Sequence, residues 1–208
     1  HDTRFGGELF AETTCKVLGS FGIKCYLAKG FVSTPMVSLG TVRTKSDLGV
    51  VITASHNPPT YNGYKLKGPY GGPLLPEKIE EIEKMIPEKS SVNTDAISLK
   101  SLETKGLLEY IDLETMYCEH VEKNFDLAAI RKSGLKIAYD AMFGAGQNVI
   151  RKLLPDAELI HCENNPSFNG QAPEPIHKNL KELSATIKNK KLDCGIATDG
   201  DADRALRA

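Results

Sequence analysis

Short apolar runs that alternate with amphipathic segments are the feature that most restricts how this chain can fold. Residues 135–139, 157–162 and 194–198 have the composition of buried strands, and residues 147–154 and 180–188 have helical periodicity. Alternating strands and helices are typical of parallel or mixed sheets covered by helices. The pattern therefore predicts the α/β class for the second half of the chain.

The first half of the chain shows the same two periodicities. Apolar residues at helical spacing predict helices over residues 10–21, 76–86 and 113–121. Short apolar runs predict strands over residues 23–28 and 49–54. We therefore expect two consecutive α/β units with mixed or parallel sheets flanked by helices.

Polar segments separate these elements. Residues 88–104 are rich in serine and threonine and predict a surface connection, and residues 164–175 are rich in Asn, Pro and Gly and predict a loop. The chain is expected to pass from one unit to the other near residues 126–134. This gives a first unit of residues 1–126 and a second unit of residues 127–208.

The composition limits the classes of partner. The 208 residues carry a formal net charge of −1, so neither nucleic acid nor an anionic membrane is expected to bind. No apolar run approaches the roughly 20 residues that span a bilayer, and no signal peptide is expected. The five cysteines are scattered without a CxxC pair, which favours free thiols in a reducing cytoplasm. The oligomeric state has no signal in the sequence.

A serine stands where the predicted strand over residues 49–54 ends. Ser55 is followed by His56, Asn57 and two prolines, which cannot continue a strand. In open α/β sheets the ligand crevice lies outside the carboxyl ends of the strands, so Ser55 is a candidate nucleophile or phosphoryl carrier. His56 and Asn57 are candidates for donating hydrogen bonds to phosphate oxygens. Lys65 is a candidate cation beside the phosphate or a candidate acid/base. The alternative is a turn that simply ends the strand.

Three aspartates follow the strand predicted over residues 194–198. Asp199, Asp201 and Asp203 alternate with small residues, and oxygen-only ligands of this kind suit Mg²⁺ or Ca²⁺. An EF-hand loop fits poorly because Arg204 stands where its glycine belongs. The other alternative is a solvated acidic turn without a metal. The Arg204 guanidinium suits an anionic partner such as a phosphate.

The two loops together resemble a known family. Thr53 to Pro58 and Asp199 to Arg204 are similar to the phosphoserine loop and the metal loop of the α-D-phosphohexomutases, which include phosphoglucomutases and phosphomannomutases. Supporting similarities are found in further stretches of the chain. These are residues 1–4, Thr34-Pro35, residues 61–65, Gly71-Gly72 and residues 140–146.

The resemblance implies a fold, a reaction and roles for the site residues. The family has four domains around one cleft, and this chain corresponds to most of the first, without its first strand, and to a C-terminally incomplete second. Phosphorylated Ser55 would exchange its phosphoryl group with a hexose 1-phosphate or 6-phosphate through a hexose 1,6-bisphosphate, a net isomerisation. Mg²⁺ would bridge Ser55 to the three aspartates, with Lys65 as general acid/base, Arg204 orienting the phosphoryl group and His56 and Asn57 as secondary contributors.

The missing initiator methionine and the abrupt end after Arg204 lead us to expect a fragment. The resemblance implies that this fragment is inactive alone, because the family's sugar-recognition loop in domain three and its phosphate-clamping loop in domain four have no counterpart here. The family pattern has an apolar strand after Arg204, and residues 205–208 depart from it. The sequence does not distinguish glucose, mannose and glucosamine phosphates.

Two rival functions belong to other classes. Gly144-Ala145-Gly146 after a predicted strand suggests a dinucleotide-binding oxidoreductase, but Val149 stands where the third glycine of that fingerprint belongs. A non-catalytic phosphosugar-binding homologue is the second rival. It would bind ligand without turnover, and it would have no need of a phosphorylatable Ser55.

Overall fold

The computed structural model describes residues 1–207, and within that range the chain forms eight α-helices and eight β-strands. The helices are Gly7–Ser20 (α1), Thr34–Arg43 (α2), Pro76–Lys84 (α3), Leu99–Thr104 (α4), Leu113–Asn124 (α5), Leu127–Lys132 (α6), Gln147–Leu153 (α7) and Lys181–Lys190 (α8). The strands are Cys25–Ala28 (β1), Gly49–Ile52 (β2), Tyr64–Lys67 (β3), Leu108–Ile111 (β4), Ile137–Asp140 (β5), Glu158–Ile160 (β6), Cys194–Thr198 (β7) and Ala205–Arg207 (β8).

The described strands form three sheets, of which one is parallel, one is antiparallel and one is mixed. In the first unit β1 pairs with β4 in parallel and β2 pairs with β3 antiparallel. In the second unit the strand order is β6-β5-β7-β8, with the first three parallel and β8 antiparallel to β7. The predicted α/β class with parallel and mixed sheets is therefore confirmed.

Strand β7 matches its predicted range, and most other predicted strands are shorter than expected. The strand predicted over residues 49–54 stops at Ile52, because Ser55 adopts a left-handed backbone conformation that no strand can contain. The strand expected after Arg204 is present as β8, and residue 208 lies outside the described residues.

The predicted surface connection over residues 88–104 is partly wrong. Its last residues form α4. Ser98 caps this helix, because its side chain accepts a hydrogen bond from the Ser101 N–H at 3.1 Å. Leu102 of this helix is buried in a cluster with Cys15 and Leu108. Six residues are too few to reveal a helical period in the sequence, so the serine content dominated the prediction.

An apolar core links the two units. Val37 of α2 and Leu113 of α5 lie in one buried cluster with Val149 and Leu153 of α7. Packing of α5 against α7 thus joins the two units through apolar side chains. No helix in the described part of the chain is long and apolar enough to cross a membrane.

Candidate active site

The serine loop has an unusual backbone conformation. Ser55 lies in the left-handed region with a φ of 54°, and its side chain is buried. Its N–H donates a hydrogen bond to the Thr53 hydroxyl at 2.8 Å. Left-handed backbone in a residue other than glycine is costly and persists only where the surroundings enforce it. The loop therefore needs support from outside itself.

Arg4 supplies that support. Its guanidinium is fully buried and donates hydrogen bonds to the carbonyl oxygens of Asn57 at 2.8 Å, Pro58 at 2.6 Å and Ser55. A planar group with five fixed donors can hold several carbonyls of one turn at once. Arg4 therefore positions the loop, and the sequence analysis assigned it no role in the site.

Asp2 balances the buried charge of Arg4. Its carboxylate accepts a hydrogen bond from Arg4 Nε at 3.0 Å and from the Thr53 hydroxyl at 2.6 Å. Burial raises the pKa of Asp2, and the hydrogen bonds from Thr53 and Arg4 oppose this shift without cancelling it. The first four residues of the chain thus belong to the framework of the serine loop.

The aspartate loop begins directly after β7. Asp199 accepts hydrogen bonds at its Oδ1 from the N–H groups of Asp203 and Arg204, both at 3.1 Å. Ala202 takes a left-handed conformation with a φ of 52° and closes the turn. This tight turn brings one oxygen of Asp199, one of Asp201 and one of Asp203 within 4.8 Å of one another.

The donor set of this loop fits a hard divalent cation. Asp201 Oδ1 is buried and has no hydrogen-bond partner in the part of the chain that the structure describes, so one ligand atom is left over. Burial, and then the neighbouring Asp201 and Asp199 carboxylates, raise the pKa of Asp203. A cation would relieve this repulsion, and carboxylate oxygens are the ligands that Mg²⁺ and Ca²⁺ prefer.

The two loops meet. Ser55 Oγ donates a hydrogen bond to Asp199 Oδ2 at 2.7 Å, and it also contacts Nη1 of Arg204. The same Arg204 nitrogen lies 3.0 Å from Asp199 Oδ2 and 3.2 Å from Asp203 Oδ1. The Ser55 hydroxyl of the first unit therefore bonds directly to two residues of the aspartate loop in the second unit, Asp199 and Arg204.

A second positively charged side chain, that of Lys65, reaches the aspartates from β3. Lys65 Nζ lies 2.9 Å from Asp201 Oδ2 and 3.9 Å from Asp203 Oδ2. Burial acts to raise the pKa of Asp201, but hydrogen bonds from Thr34 and Lys65 outweigh it and hold that pKa below its usual value. Lys65 keeps about a third of its side chain exposed, at 36%, so it can reach a ligand in the cleft as well as the carboxylate.

Glycine is required where the loops touch. A Cβ on Gly200 would lie 2.6 Å from the Ser55 carbonyl oxygen, a distance that real side chains do not tolerate. The Gly144-Ala145-Gly146 turn packs from the other side, where the Ala145 N–H donates to the Gly200 carbonyl at 2.9 Å. A Cβ on Gly144 would lie 2.8 Å from the Asp199 carbonyl. Close approach of two backbones accounts for these glycines without a dinucleotide.

Two expected site residues are not brought into the cluster. The Asn57 side chain is exposed, and this residue contributes its carbonyl to Arg4. His56 is half-buried, and its Nδ1 has no hydrogen-bond partner among residues 1–207. The described contacts therefore connect neither side chain to the three aspartates.

Thr34 is a site residue that the motif analysis did not assign. Its hydroxyl donates a hydrogen bond to Asp201 Oδ2 at 2.6 Å, and its N–H donates to the Asp201 carbonyl at 2.9 Å. Thr34 opens α2, where Ser33 caps the helix by accepting from the Met36 N–H at 3.3 Å. The Ser-Thr-Pro start signal for this helix is visible in the sequence, but the contact across the cleft is not.

The fold and the site define a class of protein in which a buried serine and a cluster of three aspartates face each other across two α/β units. The chain belongs to the phosphoglucomutase/phosphomannomutase family. Residues 1–93 match the family model of alpha/beta/alpha domain I, and residues 115–208 match that of alpha/beta/alpha domain II. The resemblance drawn from the two loops is thereby confirmed.

Named relatives agree with this membership. The chain is 34% identical to a phosphoglucomutase/phosphomannomutase of Thermococcus kodakarensis over 99% of its own length and 44% of that protein. It is 33% identical to a phosphoglucosamine/phosphogalactosamine mutase of Sulfurisphaera tokodaii, again over 99% of this chain and 45% of the relative. The chain thus spans less than half the length of these curated relatives.

Solved structures share the fold. A crystal structure described as a putative phosphomannomutase from Thermus thermophilus covers the whole chain with a TM-score of 0.88 and 34% identity, and 47% of that structure is matched. A phosphoglucomutase/phosphomannomutase family protein from Burkholderia thailandensis also covers the whole chain, with a TM-score of 0.76 at 23% identity over 44% of its own length. This second similarity shows the fold alone.

Proposed function

We propose that the protein containing this chain is a phosphohexomutase that interconverts hexose 1-phosphates and hexose 6-phosphates in the cytoplasm. Ser55 would carry the phosphoryl group, and a hexose 1,6-bisphosphate would be both the intermediate and the activator. The main support for this proposal is the 2.7 Å hydrogen bond between Ser55 Oγ and Asp199 Oδ2, where Asp199 is one of three converging carboxylates. The family membership and the relatives named as mutases support the same reaction class.

The proposal includes a place for the metal. Asp199, Asp201 and Asp203 would hold Mg²⁺, with an oxygen on Ser55 completing the ligand set. When bound, the ion supplies neutralisation of the negative charge on the transferring phosphoryl group. The orphaned Asp201 Oδ1 supports this assignment because a buried carboxylate oxygen is rarely left without a partner.

The residues around Ser55 would each have a separate role in phosphoryl transfer. A hydroxyl of the bound sugar phosphate attacks the phosphoryl group on Ser55, so that a sugar O–P bond forms as the Ser55 O–P bond breaks. The proton of the sugar hydroxyl ends on Ser55 Oγ, and we assign its relay to Lys65, whose Nζ lies beside Asp201. Arg204 contacts Ser55 Oγ directly and can orient the phosphoryl oxygens with its planar fork.

We further propose that the unit boundary lies at residues 126 and 127 and that the 208-residue chain does not complete the cycle alone. The chain covers 44% of a relative's length, so the groups that read the sugar are expected outside it. His56 and Asn57 are kept as secondary phosphate contacts, and their positions suit a role only if the loop rearranges around a ligand.

The test compares Ser55→Ala with Ser91→Ala in the complete protein. Ser91 is exposed and serves as the matched control. We expect Ser55→Ala to abolish phosphate incorporation by intact mass and to lower turnover on hexose phosphates by roughly 10³-fold or more. Normal turnover in Ser55→Ala would refute the proposal. Saturable phosphosugar binding by the unaltered protein without turnover would favour the non-catalytic homologue.

Metal binding can be measured in the chain by itself. Mg²⁺ should raise the melting temperature of the 208-residue chain, because a ligand that binds only the folded state stabilises it. Asp201→Asn should remove most of that shift, while an exposed control, Asp95→Asn, should keep it. Equal shifts in both variants would contradict the assigned metal site.

A further inference from the structure

The turn of residues 141–146, between β5 and α7, contacts both units and has a strained backbone. Phe143 lies in the left-handed region with a φ of 60°, and the residue before it has a φ of 48°. The Phe143 carbonyl accepts a hydrogen bond from the Thr3 hydroxyl at 2.7 Å, and the Ala145 N–H donates to the Gly200 carbonyl at 2.9 Å. Left-handed residues other than glycine persist only where neighbouring groups enforce them. This turn therefore joins the aspartate loop to the first unit, and it needs support of its own.

Asp140 stands directly before the turn. Its Oδ1 accepts a hydrogen bond from the Met142 N–H at 2.8 Å and lies 2.9 Å from Nδ1 of His161. The carboxylate is completely buried, and its Oδ2 has no hydrogen-bond partner in the part of the chain that the structure describes. A buried carboxylate with an unsatisfied oxygen is costly unless a positive charge faces it. His161 is placed to supply that charge.

His161 contacts a carboxylate at each ring nitrogen. Besides the contact of Nδ1 with Asp140, its Nε2 lies 3.2 Å from Glu182 Oε2 on α8. Carboxylates accept hydrogen bonds, and both ring nitrogens donate only in the charged imidazolium. The hydrogen bond to Asp140 raises the pKa of His161; burial opposes this shift, and the charges of Asp140, Glu182 and Glu163 add to it. The surroundings of the ring therefore favour its charged form.

His161 also holds the turn through its backbone and its ring. Its carbonyl accepts a hydrogen bond from the Phe143 N–H at 2.9 Å, and the centroids of the two rings lie 4.5 Å apart. His161 is itself left-handed, with a φ of 47°. From α7 the positively charged side chain of Arg151 donates a hydrogen bond to the Cys162 carbonyl, which fixes the next residue of the same segment. The turn and the His161 segment thus stabilise each other.

We propose that His161 is a positioning residue for the metal site, an inference that rests on the proposed function. The imidazolium, bonded to Asp140 and Glu182, keeps the 141–146 turn in its strained conformation, and the turn keeps Gly200 and the rest of the aspartate loop in place. A neutral imidazole has one donor fewer and leaves Asp140 without its charge partner. Metal affinity should therefore be complete below the unfolded-state pKa of His161 and fall as pH rises through the folded-state pKa.

The direction of this change separates positioning from simple repulsion. A charged His161 and a bound divalent cation repel each other, so repulsion alone would tighten Mg²⁺ binding once His161 became neutral. Positioning predicts weaker binding by the neutral form. The two explanations thus have opposite signs in the same pH range.

The first measurement needs no metal. His161→Gln is compared with His177→Gln, a matched control because His177 is exposed. Hydrogen exchange followed by NMR should speed up by roughly tenfold at the Phe143 and Ala145 amides of His161→Gln. The amide of Cys25, which bonds to the Leu107 carbonyl in the other unit, should exchange at the same rate in both variants.

The second measurement is Mg²⁺ affinity by calorimetry between about pH 6 and 9. The unaltered chain and His177→Gln should lose affinity by roughly 3- to 30-fold as pH rises, and His161→Gln should bind weakly without this dependence. Glu182→Gln is a milder variant, because the Glu182 side chain is 66% exposed. It should lower the pKa of His161, followed by NMR of the ring, and shift the fall in Mg²⁺ affinity to lower pH by the same amount.

The outcomes distinguish this inference from the metal site itself. Unchanged exchange at the two turn amides, or equal Mg²⁺ affinity of His161→Gln and its control at every pH, would overturn the positioning role and leave the metal site standing. An affinity that rises with pH in the unaltered chain and stays level in His161→Gln would establish repulsion and overturn it as well. Absence of Mg²⁺ binding by the unaltered chain at every pH would refute the metal site, and this inference with it.

Discussion

Arg4 offers the sharpest test of how the serine loop is held. Its guanidinium is completely buried together with the Asp2 carboxylate, and it bonds to three carbonyl oxygens of the loop. Replacing Arg4 by Met keeps much of the side-chain volume but leaves Asp2 as an unpaired buried carboxylate. Removing one partner of a buried ion pair costs about 3–5 kcal/mol of unfolding free energy.

The assay is urea and thermal unfolding of Arg4→Met, with Arg43→Met as the control. Arg43 is exposed, and its hydrogen bond to His120 is long at 3.4 Å. For a chain of this size the expected loss lowers the melting temperature of Arg4→Met by about 10 °C, and the control should change it little. A loss below about 1 kcal/mol in Arg4→Met would refute the positioning role.

The pH dependence and a double variant identify the cause. In Arg4→Met the pKa of Asp2, already raised by burial, should rise further because its cation is gone. A carboxyl group whose folded pKa is raised contributes stability below its unfolded pKa of about 3.8 and loses it as pH rises through the folded pKa. The deficit of Arg4→Met should therefore shrink in acid. Adding Asp2→Asn should restore part of the lost stability, whereas simple additivity would contradict the ion-pair explanation.

Two further predictions concern single residues of loops. Gly200→Ala should lower both the melting temperature and the Mg²⁺ affinity, because its Cβ would meet the Ser55 carbonyl. Gly30→Ala is the control, since a Cβ at Gly30 would stand in open space at a φ of 69°. It should cost only about 1–2 kcal/mol of strain and leave the metal affinity unchanged. The hydrogen bond to Asp140 raises the pKa of His161, so its stabilising contribution is complete below pH 6.5 and is lost as pH rises through the folded pKa. His161→Gln should remove this fall in the free energy of unfolding, measured by urea titration between about pH 6 and 9, and an unchanged pH profile would contradict the assignment.

The sequence predicts long helices, in which apolar residues recur over several turns, and strands that are apolar throughout. Strand β7 was located at both ends because Cys194 to Thr198 is an uninterrupted apolar and β-branched run before an aspartate. Helices α2, α4 and α6 and strands β3 and β4 were not predicted. Six residues hide a helical period, and Tyr-Lys-Leu-Lys carries too much charge to be recognised as a strand.

The members of the site were predictable to different degrees for a physical reason. Ser55 and the aspartates stand directly after strands, and the rule that ligands bind at strand carboxyl ends places them in one crevice without coordinates. Arg4 and Asp2 obey no such rule. Charged residues are mostly exposed in folded proteins, and only the structure shows that these two are buried together.

Burial of Arg4 and Asp2 also explains why the serine loop can be rigid and strained while standing at the edge of a cleft. A left-handed Ser55 would relax in an isolated turn, since nothing in the Ser-His-Asn-Pro-Pro sequence enforces it. The buried Arg4 guanidinium donates hydrogen bonds to the loop carbonyls, including that of Ser55. Gly200 lets the aspartate loop pack closely against the Ser55 carbonyl as well. The alignment of the serine hydroxyl with Asp199 is therefore a property of three chain segments, and no one of them could produce it alone.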